Sequence, residues 1–302
     1  MPKLDHVLSL INTVGQRDYR RARQCVEAMI AQERQNRREQ AAKSLERALN
    51  HWPNQSMVEL PQDVSRFVWS EQPKRSLDSL YLTVDVQKEI RRFFNEWEHA
   101  EQIQEAGLSL TNKLLLTGPP GNGKTSLAEA LAKSFGLTFL PIKLHTVIDG
   151  HMGSSGKNLG KLFEFASFNN VVLFIDELDA IGSFRSSGVG DAATKEYNVV
   201  VNTLLTNLDR FPDTGVVIGA TNLPDALDPA LERRFNIKLW LDNPTEAQIE
   251  AYLDDYQQAH SVRLFPESVS HLAGLPWSRI EEFCMNKHKD LILGEFRTST
   301  GV

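Results

Sequence analysis

The sequence predicts an α/β fold: a doubly wound parallel sheet of five strands, preceded by a helical region and followed by a small all-helical domain. Three observations predict it. Short apolar runs recur near residues 113–117, 138–142, 171–176, 215–220 and 236–241 and alternate with segments of helical period, as consecutive βα units require. Asp18 to Leu49 contains no Gly or Pro, which favours uninterrupted helix ahead of that alternation. Beyond Pro244 the periodicity is wholly helical.

Each element follows from its residues. Leu4, Val7, Leu8, Ile11 and Val14 recur every three or four positions up to Gly15, a plausible stop for a first helix. Tyr19, Ala22, Val26, Met29 and Ile30 keep helical spacing, the polar stretch Gln32 to Glu39 follows, and Leu45, Ala48 and Leu49 resume it. This predicts one long helix or two. Pro53, Pro61 and Pro73 then punctuate what reads as a linker to about residue 75. Leu80 to Trp97 suggests a loop and a helix. Lys113–Thr117 is an apolar run ending in a turn, after which Leu127, Leu131 and Phe135 fall at four-residue steps on one helical face. Val171–Ile175 and Gly215–Ala220 are too apolar for exposed strands. In the last region Ile249, Tyr252, Leu253 and Tyr256 form one stripe, and a last helical segment carries Ile280, Phe283, Cys284, Leu291 and Leu293. The expected division is therefore 1–75, helical region and linker; 76–243, α/β domain; 244–302, helical domain.

Composition narrows the class. The chain has 302 residues, 41% hydrophobic and 24% charged, ordinary for a globular protein with a sizeable core. No apolar run approaches the ~18 residues of a membrane span, and no signal segment stands at the start, so a cytoplasmic location is expected with no membrane partner. Cys25 and Cys284 lie far apart without C-x-x-C or H-E-x-x-H company. They point to small buried apolar residues, not to a disulfide framework or a zinc site. Net charge is −6, yet residues 1–75 are on balance basic.

Residues 118–125 read Gly-Pro-Pro-Gly-Asn-Gly-Lys-Thr and match G-x-x-x-x-G-K-[ST], the loop whose backbone N–H groups cradle phosphates. Strand, glycine turn and helix in that order aim a helix N-terminus at an anion. Lys124 is expected to reach the β- and γ-phosphates, and the Thr125 hydroxyl to hold Mg²⁺. Val171–Ile175 delivers Asp176 and Glu177 to the carboxyl edge of the sheet, where ligands of such folds bind. Asp176 is expected to contact Mg²⁺ directly or through water, and Glu177 to orient and deprotonate the attacking water. The blander alternative is that Asp176, Glu177 and Asp179 cap a helix. Asn222, ending the strand Gly215–Thr221 beside Glu177, can hydrogen-bond the attacking water or the γ-phosphate; alone it would be a turn residue. Together these residues predict a nucleotide hydrolase.

With Leu227-Asp228-Pro229-Ala230-Leu231 and Arg233-Arg234-Phe235 following Ala220-Thr221-Asn222 in order and spacing, the chain resembles the AAA ATPases over roughly residues 76 to 293. The resemblance implies ATP and Mg²⁺, bound by Gly118, Pro119, Pro120, Gly121, Asn122, Gly123, Lys124, Thr125 and Ser126 with Asp176. It implies that Asn222 is the polar sensor of the fourth strand. Arg233 and Arg234 are implied to be fingers that reach the γ-phosphate of a neighbouring subunit in a homo-oligomeric ring, usually a hexamer. Arg279 falls at the family's second sensor and would contact phosphate in cis, although a plain helix-surface arginine is an equal reading. Leu208-Asp209-Arg210-Phe211 resembles the segment that couples neighbouring sites, with Arg210 where the family usually has Gly. Gly150-His151-Met152-Gly153-Ser154 stands where unfoldases carry an aromatic-aliphatic-Gly pore triplet, and Arg185–Asp191 is a second candidate pore loop. Leu80, Tyr81 and Leu82 are candidates to flank adenine or to pack on a helix cap. A GTP-type N-K-x-D is missed by one place at Asn286–Asp290.

The expected activity is ATP hydrolysis driving the remodelling of a protein partner or effector, chosen by the N-terminal helices. Some short bacterial relatives of this type work beside a protease in defence pairs. The alternatives are a nucleic-acid-associated ATPase, motivated by Arg17, Arg20, Arg21, Arg23, Arg34, Arg37 and Arg38, and an ATP-dependent assembly switch. Interleaved Asp18, Glu27, Glu33 and Glu39 favour a solvated or coiled-coil-like arm over a nucleic-acid face.

Overall fold

A computed structural model of the chain describes residues 4–15, 19–36, 38–51, 60–68, 73–144, 147, 155–169, 171–180, 191–213, 215–262 and 269–293. The region read as one helix or two is two: after α1 (Leu4–Gly15) come α2 (Tyr19–Gln35) and α3 (Glu39–His51). Val26 and Ile30 of α2 pack on Ala42 of α3, with Leu10 and Leu45 against them. The polar stretch between them thus marks a corner where no apolar stripe continues.

The α/β domain opens with α4 (Val84–Glu98) and α5 (Ala100–Glu105), α4 being capped by the Thr83 side chain, which accepts from the Val86 N–H. Five parallel strands follow, in the order β2-β3-β4-β1-β5. They are β1 (Lys113–Thr117), β2 (Thr138–Lys143), β3 (Val171–Asp176), β4 (Val216–Thr221) and β5 (Ile237–Trp240). Between them lie α6 (Lys124–Phe135), α7 (Ser155–Phe168), α8 (Asp191–Arg210) and the short α9 (Pro229–Glu232). The near-continuous apolar runs are explained by burial on both faces. Leu115, Leu173 and Ile175 face a core shared with Leu159 and Leu162 of α7 and Leu204 and Leu208 of α8. Their neighbours Leu114, Leu116 and Phe174 face the opposite core, shared with Ile90 and Phe93 of α4 and Leu127 and Leu131 of α6.

Part of the stretch read as linker is built into this domain. Val64 and Val68 are each only 3% exposed and join the α7–α8 core, Phe67 and Leu60 pack against it, and Lys161 of α7 pairs with Asp63 at 2.8 Å. Val68 also makes an antiparallel bridge to Ile142 on β2, the edge strand. The proline spacing signalled an irregular backbone correctly. It carried no information on whether that backbone was seated.

The helical domain comprises α10 (Glu246–His260), α11 (Val269–Leu272) and α12 (Trp277–Leu293). Thr245 and Gln248 form a capping box at the start of α10. Ile249 and Leu253 pack on Leu272, Ile280 and Cys284, with Tyr252, Tyr256, Trp277 and Phe283 around them. Of the apolar residues on the last helix, Leu291 and Leu293 are exposed, Leu293 by 68%. Cys284 is fully buried and its thiol is pushed up to about 11 by that burial. Cys25 is only half-buried, its Sγ lying 3.2 Å from the Ser9 hydroxyl across α1 and α2.

Candidate functional site

The phosphate loop hangs between β1 and α6. Gly118 has φ 135°, and a Cβ there would lie 2.1 Å from the Leu241 carbonyl oxygen, so no other residue fits. Gly123 stands at the N-cap of α6, which leaves the first N–H groups of that helix without intrahelical partners and open to an anion. Lys124 is only 8% exposed. Its Nζ donates to the carbonyls of Gly118 at 2.7 Å and Pro119 at 2.9 Å, folding the ammonium under its own loop. Burial lowers its pKa, opposed by the charges of Asp176 and Asp179. Thr125 is exposed beside it, and Ser126 is half-buried.

Opposite stands the end of β3. Burial raises the Asp176 pKa, as does neighbouring Glu177, while Lys124 and the Glu177 N–H, which donates to Asp176 Oδ1 at 2.9 Å, work the other way. Glu177 has φ 57°, a left-handed conformation that costs a non-glycine residue about 1 kcal/mol. That turn takes the chain off the strand. A partly desolvated carboxylate and an exposed threonine hydroxyl are donors of the hard-oxygen kind that suits Mg²⁺.

Asn222 follows β4 as expected, and the structure shows what holds it. Asp179 Oδ1 accepts from the Thr221 hydroxyl at 2.7 Å and from the Asn222 N–H at 3.2 Å, and the same hydroxyl accepts from the Leu223 N–H at 3.1 Å. Sequence reading gave Asp179 only a capping role. The missed signal was its place three residues after Asp176, on the turn that faces the end of the adjacent strand β4.

Asp228 caps α9, accepting the Ala230 N–H at 2.8 Å, with Pro229 in the first turn. This sets Arg233 and Arg234 at the helix end. The two differ. Arg233 is exposed, whereas Arg234 pairs with both carboxylate oxygens of Asp209, at 3.2 and 3.3 Å, and donates to the Ala230 carbonyl at 3.0 Å. Both lie just ahead of β5, at the amino edge of the strands, since the Asn236 N–H donates to the carbonyl of Lys113, where β1 begins. The cradle lies at the other edge, beyond Thr117.

Arg279 is exposed and pairs with Glu282 on its own helix at 2.8 Å. Leu80 and Leu82 pack into the core with α4. Tyr81 turns instead to the helical domain, its ring centroid 5.4 Å from that of Trp277 and 5.6 Å from that of Tyr252, and its hydroxyl donates to Asp255 at 2.5 Å. The pore candidate at 150–154 and all but the last residue of the candidate at 185–191 lie outside the described residues. Among the described residues no group of three or more His, Cys, Asp or Glu is gathered to hold a metal ion, and no helix is long and apolar enough to cross a membrane. In the N-terminal helices Arg34 is paired with Glu46, and Arg38 lies 3.7 Å from Glu33.

Residues 114–243 match the profile of the ATPase family associated with various cellular activities (AAA). An uncharacterized AAA family ATPase, y4kL, of Sinorhizobium fredii is 30% identical over 281 residues, 90% of this chain and 84% of the relative. The ATP-dependent zinc metalloprotease FtsH of Hahella chejuensis is 33% identical over 58% of this chain, which spans 29% of that protein's length. The 26S proteasome subunit RPT4 of Saccharomyces cerevisiae is 33% identical over 62% of this chain and 45% of its own length. In both of the last two the likeness covers less than half of the relative.

Proposed function

This chain belongs to the AAA family of ATPases, and from that membership we propose that it is a Mg²⁺-dependent ATP hydrolase working as a ring, in the family manner a hexamer, to remodel a protein partner selected by its N-terminal helices. One observation carries the ring. The exposed Arg233 lies at the amino edge of the strands and the cradle at the carboxyl edge. The span of β1, about 3.3 Å per residue, separates them. A guanidinium so placed is out of reach of its own cradle, which supports a role at the nucleotide of another copy.

Position supports the following division of roles. The loop N–H groups and Lys124 hold the β- and γ-phosphates, and moving onto them releases the Lys124 ammonium from the Gly118 and Pro119 carbonyls. Thr125 and Asp176 would hold Mg²⁺, which supplies charge neutralisation on the phosphates. Glu177 takes a proton from water as its oxygen bonds the γ-phosphorus and the bond to the bridging oxygen of ADP breaks. Asn222, fixed through Asp179, orients that water. Arg233 of a neighbouring copy stabilises the charge on the transferred group, a contribution of about 10³–10⁵ in rate for fingers of this type.

Two relatives carry names tied to protein breakdown, a metalloprotease and a proteasome subunit, which supports a protein substrate. The pairing of Arg34 and Arg38 within the helical module weighs against a nucleic-acid face. Two inactive variants test the composite site. Lys124→Ala lacks a working cradle and Arg233→Ala lacks the finger, so each alone should be dead, while a mixture should regain turnover at junctions joining the intact halves. A mixture as inactive as its components would overturn the shared site.

A further inference from the structure

The loop motif specifies glycines, lysine and a hydroxyl residue but leaves the place of Asn122 open, so phosphate binding does not explain a carboxamide there. Asn122 is nonetheless 5% exposed and uses both ends of its side chain. Its Nδ2 donates to Asn243 Oδ1 at 2.8 Å, and its Oδ1 accepts from the Trp277 N–H at 3.2 Å. Asn243, on the crossing between the two domains, passes the connection on, donating through Nδ2 to the Gly274 carbonyl at 2.9 Å. Next to Asn122, the Gly121 carbonyl accepts from the Ser278 N–H at 3.0 Å. The approach is so close that a Cβ on Gly121 would lie 2.2 Å from the Ser278 hydroxyl oxygen.

Trp277 and Ser278 begin α12. Their N–H groups are among those that a helix cannot satisfy internally, and here the phosphate cradle satisfies them. The first turn of the helical domain's longest helix is therefore capped by the loop that receives the phosphates. The ring of Trp277 lies tilted against that of Tyr81, centroids 5.4 Å apart, so a displacement of this turn also moves the aromatic contact between the domains.

We propose that Asn122 is a positioning residue that ties the phosphate cradle to the helical domain, so that phosphates in the loop set the placement of α12, and the placement of α12 sets the affinity of the loop. The second half follows from the first, because a coupling between two equilibria acts equally in both directions. The proposal rests on nucleotide binding at residues 118–125 and adds to it the route by which binding is felt outside the α/β domain.

Backbone amide exchange on the full chain, with and without Mg·ADP, tests it. In the unaltered protein nucleotide should slow exchange both in the loop and at Trp277 and Ser278. In Asn122→Ala the loop should still be protected while the response at 277–278 falls at least about fivefold, and Kd for ADP should rise about 5–20-fold, the size of one or two hydrogen bonds. Asn243→Ala breaks the same chain outside the loop and serves if Asn122→Ala does not fold. The double variant should be no worse than the weaker single one. A full response at 277–278 in either single variant with a protected loop, or strictly additive effects, overturns the coupling. Absence of loop protection in the unaltered protein overturns nucleotide binding itself, and the coupling with it.

Discussion

At the scale of single residues, the site holds two charges under tension in the absence of nucleotide. Asp176 is raised above its ordinary 3.8 by burial, so the folded state binds its proton more tightly than the unfolded state does. Stability from this group is complete below pH 3.8 and is lost as pH rises through the shifted value. Lys124 is lowered from 10.5 by burial, and its penalty is relieved as pH climbs through its own shifted value. Bound phosphates and Mg²⁺ would offset both penalties wherever the two groups are charged. Asp176→Asn should therefore raise the melting temperature of the ligand-free protein by about 2–4 °C and flatten its decline above pH 3.8. It should also abolish the extra stabilisation that Mg·ATP confers, as thermal scans with and without nucleotide will show. Asp179 should behave differently. Removing its carboxylate leaves the fully buried Thr221 hydroxyl without its acceptor and lets Asn222 drift. A misplacement of about 1 Å costs on the order of 10² in rate. Asp179→Ala should thus lose kcat on that scale while Kd for ATP stays within about twofold, a split that steady-state kinetics and equilibrium binding resolve. The paired arginines also separate here: Arg234 is engaged by Asp209, whereas Arg233, the proposed finger, is exposed.

At the scale of elements, the segment 60–68 changes how the N-terminal region connects to the ATPase domain. A flexible tether would leave Val64 and Val68 in water. The structure buries both against α7, and Val68 bridges the β2 edge, covering backbone that an edge strand would otherwise expose. Val64→Asp would bury an unpaired charge at a cost of about 3 kcal/mol. It should lower the melting temperature of the α/β domain by roughly 6–12 °C, which calorimetry will detect. A melting point unmoved by the substitution would mean that the strap is not seated. The strands, by contrast, were legible to within a residue. Parallel strands buried on both faces need unbroken apolar runs, and Val171–Ile175 and Val216–Ala220 can be nothing else in a chain of this composition.

At the scale of the whole molecule, α1 to α3 enclose their own small apolar cluster, separate from the cores on either face of the sheet. Removing residues 1–51 should leave the melting temperature of the α/β transition within about 2 °C, measured by calorimetry, and leave basal ATP turnover intact. Turnover per subunit should fall as the full chain is diluted through its assembly range, as the proposed shared site requires. Activity independent of concentration in a demonstrably single copy would remove the basis for the ring. What the sequence determined by itself was the family, the sheet, the cradle and the two adjacent carboxylates where β3 ends, since each is written in contiguous residues whose spacing is dictated by backbone geometry. Tertiary structure alone decided that Asp179 holds Asn222, that Asp209 engages Arg234, that Asn122 caps a helix more than 150 residues away, and that part of an apparent linker belongs to the core. Those contacts join segments distant in the chain, and a hydrogen bond between two side chains leaves no periodicity in the sequence of either.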